Sequence, residues 1–444
     1  MKLRFERAAA LAALPMLLMP TLAAAQEAAP VPNKGDTAWM LVSTLLVLLM
    51  ILPGLQLFYG GLVRAKNMLS MMTQIGAVTC LVMLLWVAFG YSLAFGPDAA
   101  APLTPFIAGL DRMFLAGITP DSTAATFTDG VVIPELVFVC FQMTFAAITV
   151  SIVLGAVVER MKFGAVLLFT LIWLPLVYLP IAHMVWASSG LFFTMGALDF
   201  AGGTVVHINA GVAALVASIV VGRRLGYTKD SMAPHSLTLT LVGTGLLWVG
   251  WFGFNAGSAL EANGSAALAM INTFVATAAG GLAWLALEAL AGQRPSALGL
   301  ASGIVAGLVA VTPAAGLAGP LGAMMLGAVT SAACYLAVAR IRPRLGYDDS
   351  LDAFGIHGVG GIVGAIGTAI VHAPALGGAG AADYDMMAQL GTQLLAVVTT
   401  IGWSVAGTLV ALFVVKAITG LRVAPDAERE GLDLAEHGER AYNL

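Results

Sequence analysis

Eleven apolar stretches follow one another along this chain, each close to the roughly 20 residues a helix needs to cross a bilayer. Their limits are 37–62, 69–95, 132–157, 163–185, 202–222, 236–257, 266–290, 298–315, 319–340, 353–373 and 388–415. In hydrocarbon a spanning segment must satisfy its own backbone N–H and C=O groups, so the expected fold is all-α, an integral membrane protein of eleven transmembrane helices. Charged residues make up only 10% of the 444, against roughly 25% in ordinary soluble domains, and that excludes a soluble alternative. There is no basic stripe of the kind that binds nucleic acid.

Residues 1–25 read as a cleaved signal peptide. Lys2, Arg4 and Arg7 precede the apolar run Ala8 to Leu22, which ends in Ala23-Ala24-Ala25-Gln26. An odd number of spans then puts the mature N terminus outside and the C terminus inside. Of the 20 Lys and Arg, three belong to the leader, fifteen fall on the predicted inner side, and only Lys34 and Arg112 fall outside. Such asymmetry sets orientation. It predicts a multi-pass protein of a bacterial inner membrane with a periplasmic N terminus and a cytoplasmic C terminus. Residues 26–418 form the membrane domain, and the polar tail 419–444 is either disordered or folded against the inner face. Cys80, Cys140 and Cys334 all fall in apolar spans without paired or metal-binding spacing, so buried, inert thiols are expected and neither metal nor cofactor is implied.

His207 and His357 lie inside apolar spans, where an ionisable ring is expensive unless it serves a pathway. Both carry the pattern His-x-x-x-Gly, in GGTVVHINAG (202–211) and GIHGVGG (355–361). They occupy the last span of two equal sets, 1–5 and 6–10. An odd number of spans per set forces opposite orientations, the arrangement of a pseudo-twofold inverted repeat with its pathway between the halves. A pore with two central histidines and few charges does not suit a metal ion, which wants carboxylates or thiolates, nor a large anion. A small weak base fits: aromatic rings attract its cation, and neutral imidazoles stabilise the base or relay a proton.

Candidate aromatics sit at helical spacing. Phe141 and Phe145 share a face in FQMTF, Trp186 ends span 4 at the outer surface, and Phe254 and Ser258 share a face in WFGFNAGS. Packing or an interfacial belt explains such residues equally well. Asp199, just ahead of span 5, reads either as a cation ligand or as an N-cap with a field-shaping role, and Asp352 before span 10 carries the same ambiguity. His183, His235, His372 and His437 lack the context of the central pair.

The segments GALDFAGGTVVHINAG, WFGFNAGSAL, FGIHGVGGIVG, FQMTFAAITVSIVLGAVVER and EREGLDLAEHGERAYN closely resemble the ammonium transporter (Amt/Mep/Rh) family, from about residue 36 to 444. The resemblance implies that family's eleven-helix fold, a homotrimer and one pore per subunit. Carried over by position, Trp186, Phe141 and Ser258 correspond to an outer recruitment site for ammonium, with Asp199 as the acidic residue beside it. Phe145 and Phe254 correspond to stacked rings gating the pore, and His207 and His357 to its paired imidazoles. The tail resembles the bacterial branch, whose inner face is blocked by a PII-type signal protein. The implied function is transport of ammonium, or methylammonium as analogue, through a lipid bilayer: NH4+ is deprotonated and NH3 conducted, with or without the proton. No nucleophile–base pair supports an enzyme. The competing class is an ammonium sensor with little net flux.

Overall fold

Five of the spans start on a side chain that accepts backbone N–H groups left open at a helix N terminus: Asn33, Ser236, Asn263, Ser296 and Asp385. The computed structural model describes residues 30–442, and those from Pro32 onward belong to one unit. The expected signal peptide, 1–25, lies outside the described residues. Among the described residues there are eleven helical spans: Lys34–Leu62, Ala65–Phe95, Glu135–Leu154, Phe163–Thr194, Gly203–Val221, Leu237–Gly257, Gly264–Leu290, Ala297–Ala314, Pro320–Leu345, Phe354–Val371 and Met386–Ile418. They are numbered 1–11 below.

Two boundaries depart from the hydropathy limits for local reasons. Span 3 starts at Glu135 rather than 132, because Val132–Pro134 pairs antiparallel with Thr123–Ala125 in a short hairpin. Pro134 offers no N–H and biases its predecessor towards extended backbone. Span 4 is helical through Trp186, then turns and resumes as Leu191–Thr194.

Spans 3 and 5 are the most enclosed, spans 1 and 11 among the least. Of the cysteines only Cys334 is buried; Cys80 and Cys140 are exposed on the outside of the bundle, against expectation. A membrane helix carries apolar residues on both its inward and its lipid-facing side, so an apolar run does not reveal which residues point in.

Spans 5 and 10 cross at the centre, and their contact is reciprocal. Each opens with a π-helical turn holding its histidine, Gly203–Ile208 and Phe354–Gly358. A side chain at Gly211, four residues after His207, would run into the backbone around Gly358. One at Gly361, four residues after His357, would lie 2.9 Å from the Ile208 nitrogen and 3.0 Å from the Gly203 oxygen. Each half thus gives the glycine that lets the other half's histidine turn approach, as a pseudo-twofold repeat demands.

The end of the bundle that carries most of the arginines is held by a buried ion network. Glu159 accepts from Arg64 at 2.7 Å and Arg224 at 3.2 Å, and Arg224 reaches Asp348 at 2.8 Å. Burial alone would push the Glu159 carboxyl up; Arg224 and Arg64 more than offset it and hold it below its ordinary value. The chain after span 11 folds against this end as two short helices, Pro425–Glu430 and Leu432–His437. Glu428 accepts from the Leu225 N–H at 2.7 Å and from Arg422 at 2.7 Å. Asp433 accepts from Ser70 N–H at 2.7 Å, and Glu436 from Phe163 N–H at 2.9 Å. Of the two states open to the tail, the docked one is found.

Candidate functional site

At the opposite end, where residues 96–134 connect spans 2 and 3, a cavity of about 850 Å3 opens. Phe141, Phe145, Trp186, Asp199 and Ser258 all line it, so five of the eight singled-out residues meet there. Helical spacing stacks the rings: Phe141 and Phe145 are 4.8 Å apart between centroids, and Trp186 meets Phe145 edge-on at 5.7 Å and 81°. The Trp186 indole N–H donates to the Asp199 backbone oxygen at 2.9 Å, which fixes the ring over the cavity floor. Ser258 Oγ donates to the Phe254 oxygen one turn back at 2.8 Å, leaving its lone pairs free to accept.

Phe145 forms the floor. Beneath it Phe254 stacks at 4.2 Å and 19°, and Phe254 lines neither this cavity nor the one at the opposite end. Below that ring lies His207, 6.0 Å from Phe254. Its Nδ1 is 3.1 Å from Nδ1 of His357, and the two imidazoles are nearly parallel, 5.2 Å apart. With nitrogen facing nitrogen, one ring must donate and the other accept, so two neutral imidazoles share a single proton across the pair. His207 Nε2 is buried without a protein partner. His357 reaches a second cavity of about 480 Å3, which opens at the arginine-rich end. The two cavities are thus interrupted by two phenyl rings and the buried His207.

Asp199 is a cap. Its carboxylate accepts from Gly202 N–H at 3.1 Å and from Thr204 and Val205 N–H at 3.0 Å, at the start of the turn that carries His207. Burial pushes this carboxyl up to about 6, against the pull of those backbone donors. In the second half the matching residue is Asp349, not Asp352: Asp349 accepts from Ala353 N–H at 3.0 Å and Phe354 N–H at 2.8 Å, whereas Asp352 pairs with Arg342. A signal was available, since Asp199 and Asp349 each stand eight residues ahead of their histidine. Sequence reasoning also passed over Trp251, which stacks on His207 at 5.4 Å and 16° while its N–H donates to Thr312 Oγ1 at 2.9 Å. Trp251, Phe254 and Ser258 lie at i, i+3 and i+7, one helix face. Gln393 is a third omission: it accepts from Leu198 N–H at 2.7 Å and donates to the Leu198 and Ala365 oxygens, bracing the loop that presents Asp199. Among the described residues no group of three His, Cys, Asp or Glu is placed to hold a metal ion.

The whole length of this arrangement has counterparts in known proteins. The profile of the Ammonium Transporter Family matches residues 38–442. An ammonium transporter of Aquifex aeolicus is 47% identical over 414 residues, covering 93% of this chain and 94% of that protein. The crystal structure of Candida albicans Mep2 is similar at a TM-score of 0.80 and 33% identity, covering 93% of this chain and 91% of that one. A solved structure described as a sensor Amt protein is similar at 0.81 and 30% identity, covering 91% and 98%. The chain therefore belongs to the ammonium transporter family, a family of multi-pass membrane transport proteins rather than enzymes.

Proposed function

We propose that this protein carries ammonium across a membrane by stripping it of its charge. NH4+ enters the larger cavity and settles among Phe141, Trp186 and Ser258, where ring faces and a hydroxyl oxygen replace part of its hydration shell. The observation that carries the reading is the interruption between the two cavities. Phe145, Phe254, Trp251 and the histidine pair offer a passing molecule no charged side chain, and the buried, unpartnered polar atom there is His207 Nε2. An isolated ion in such surroundings is penalised by tens of kcal/mol in a low-dielectric limit, so ammonium leaves its proton behind and NH3 passes. The imidazole pair gives NH3 a hydrogen-bond partner and, if the proton crosses separately, a relay. Asp199 holds the His207 turn by its cap and adds negative charge beside the recruitment site.

By the positive-inside rule the aromatic cavity faces the periplasm of a bacterial inner membrane, and the arginine-rich end with tail 419–444 faces the cytoplasm. Exposed apolar side chains on the bundle face lipid and the neighbouring subunits of a homotrimer, and the docked tail is the regulatory segment beside which a PII-type protein binds. A second reading, an ammonium sensor with little flux, is favoured by the likeness to the sensor Amt structure. Methylammonium uptake into proteoliposomes separates them. Transport predicts uptake by the wild type that changes at least tenfold in His207→Leu and His357→Leu variants that remain folded. Wild-type uptake in both variants contradicts the histidine path, and binding without uptake in the wild type favours the sensor.

A further inference from the structure

The larger cavity extends well above the recruitment site, and one face of span 3 runs its whole depth. Glu135, Phe138, Phe141, Gln142 and Phe145 all line it, at helical positions i, i+3, i+6, i+7 and i+10. At 1.5 Å per residue, Glu135 stands roughly 15 Å above the floor ring. Three further lining rings form a cluster that reaches Glu135 through Tyr91. Phe95 and Phe138 meet at 5.2 Å and 74°, and Tyr91 lies 6.2 Å from Phe95 and 6.4 Å from Phe138. The Tyr91 hydroxyl donates to one Glu135 oxygen at 2.8 Å, and Glu135 takes part in none of the ion pairs of the described residues.

A carboxylate in the first turn of a helix has a structural use, since it complements the helix dipole. That use does not explain the cluster of rings joined to it through Tyr91, nor Gln142 one turn below Phe138. Gln142 is 9% exposed, and its side-chain carbonyl oxygen is sealed from solvent and has no hydrogen-bond partner among the described residues. A buried amide oxygen without a donor lacks what an N–H cation supplies. Rings with an adjacent carboxylate are the chemistry that recognises substituted ammonium ions.

We propose that the mouth of this cavity is a second cation site, formed by Glu135 with the Tyr91, Phe95 and Phe138 rings, which takes ammonium and small alkylammonium ions above the recruitment site. Gln142 accepts an N–H from the ion between the two sites. The site stands by itself; only its place ahead of recruitment rests on the transport reading.

Tetramethylammonium is the probe, because it has no N–H to lose and is too bulky to pass the stacked Phe145 and Phe254. Its binding to the detergent-purified full chain is measured by calorimetry for the wild type, Glu135→Gln, Phe138→Leu and Trp186→Leu. The site predicts binding by the wild type, weakened about fivefold or more in Glu135→Gln and in Phe138→Leu, and weakened less in Trp186→Leu. Two variants at the mouth keep the test intact if one of them does not fold. No binding by the wild type, or binding lost in Trp186→Leu and unchanged in both mouth variants, overturns the proposal. A wild type that binds tetramethylammonium yet moves no ammonium counts against the transport reading and leaves this site standing.

Discussion

The two histidine turns share a backbone and differ in company. In both, a carboxylate caps the turn eight residues before the histidine and a glycine four residues after it admits the other half. In the first half His207 is sealed between Trp251 and His357, and Asp199 spends its oxygens on backbone N–H groups alone. In the second half His357 opens on a cavity whose wall includes Arg224, Arg342 and Asp352, and Arg342 also donates to the Asp349 backbone oxygen at 3.3 Å. The repeat sets where the two rings meet, and the neighbours set what each ring faces. In the proposed path, ammonia therefore leaves a dry aromatic neck and is reprotonated at a charged, wet exit.

The largest expected effect is to break the crossing itself. Gly211→Val and Gly361→Val each place methyl groups against the backbone of the other half, which cannot yield as a flexible side chain would, and each is expected to cost more than about 4 kcal/mol. The check is recovery of monodisperse protein in detergent; wild-type recovery for either variant breaks the reciprocity. Next comes Glu159→Gln, which leaves Arg224 buried without one of its two carboxylates and is expected to destabilise by about 3–5 kcal/mol. Because the folded state holds this carboxyl below its unfolded value of 4.5, its contribution is present above that pH and is lost as the pH falls further. Thermal unfolding from pH 7 to pH 3 should show that loss in the wild type and a smaller one in the variant.

A cap should cost less. Asp199→Asn is expected to destabilise by about 1–2 kcal/mol. Here the sign of the pH dependence reverses: with the carboxyl pushed up to about 6, the native state binds its proton more tightly than the unfolded chain does, so this group's contribution falls as pH rises from about 4 to 6. The Asn variant loses that slope. The smallest effect sharpens the comparison from one side only. Trp251→Phe keeps a ring against His207 but removes the bond to Thr312, for about 1 kcal/mol in melting experiments, with methylammonium uptake largely retained.

Much of this is legible in the sequence. Apolar length alone located the spans, and His207 and His357 stood out because charge is so rare around them. What escaped depended on partners distant in sequence. Asp352 drew attention by standing closer to its span than Asp349, although only Asp349 keeps the eight-residue offset of Asp199. Arg64 and Arg224 were visible only as charges that set orientation, and their pairing with Glu159 was not visible at all, since an ion pair leaves no local pattern. Trp251 was hidden in a motif where Phe254 and Ser258 were the conspicuous pair. Cys80 and Cys140 were misplaced because apolar residues serve a helix equally well towards protein and towards lipid.

The most direct test of a neck that admits only what can shed its charge is selectivity. Proteoliposomes containing the wild-type protein receive matched pulses of ammonium and of potassium, a cation of similar size with no proton to give up, while current and internal pH are recorded. The account predicts a response to ammonium, electrical or alkalinising, and none to potassium even at about a hundredfold excess. A potassium current comparable to the ammonium response would contradict it.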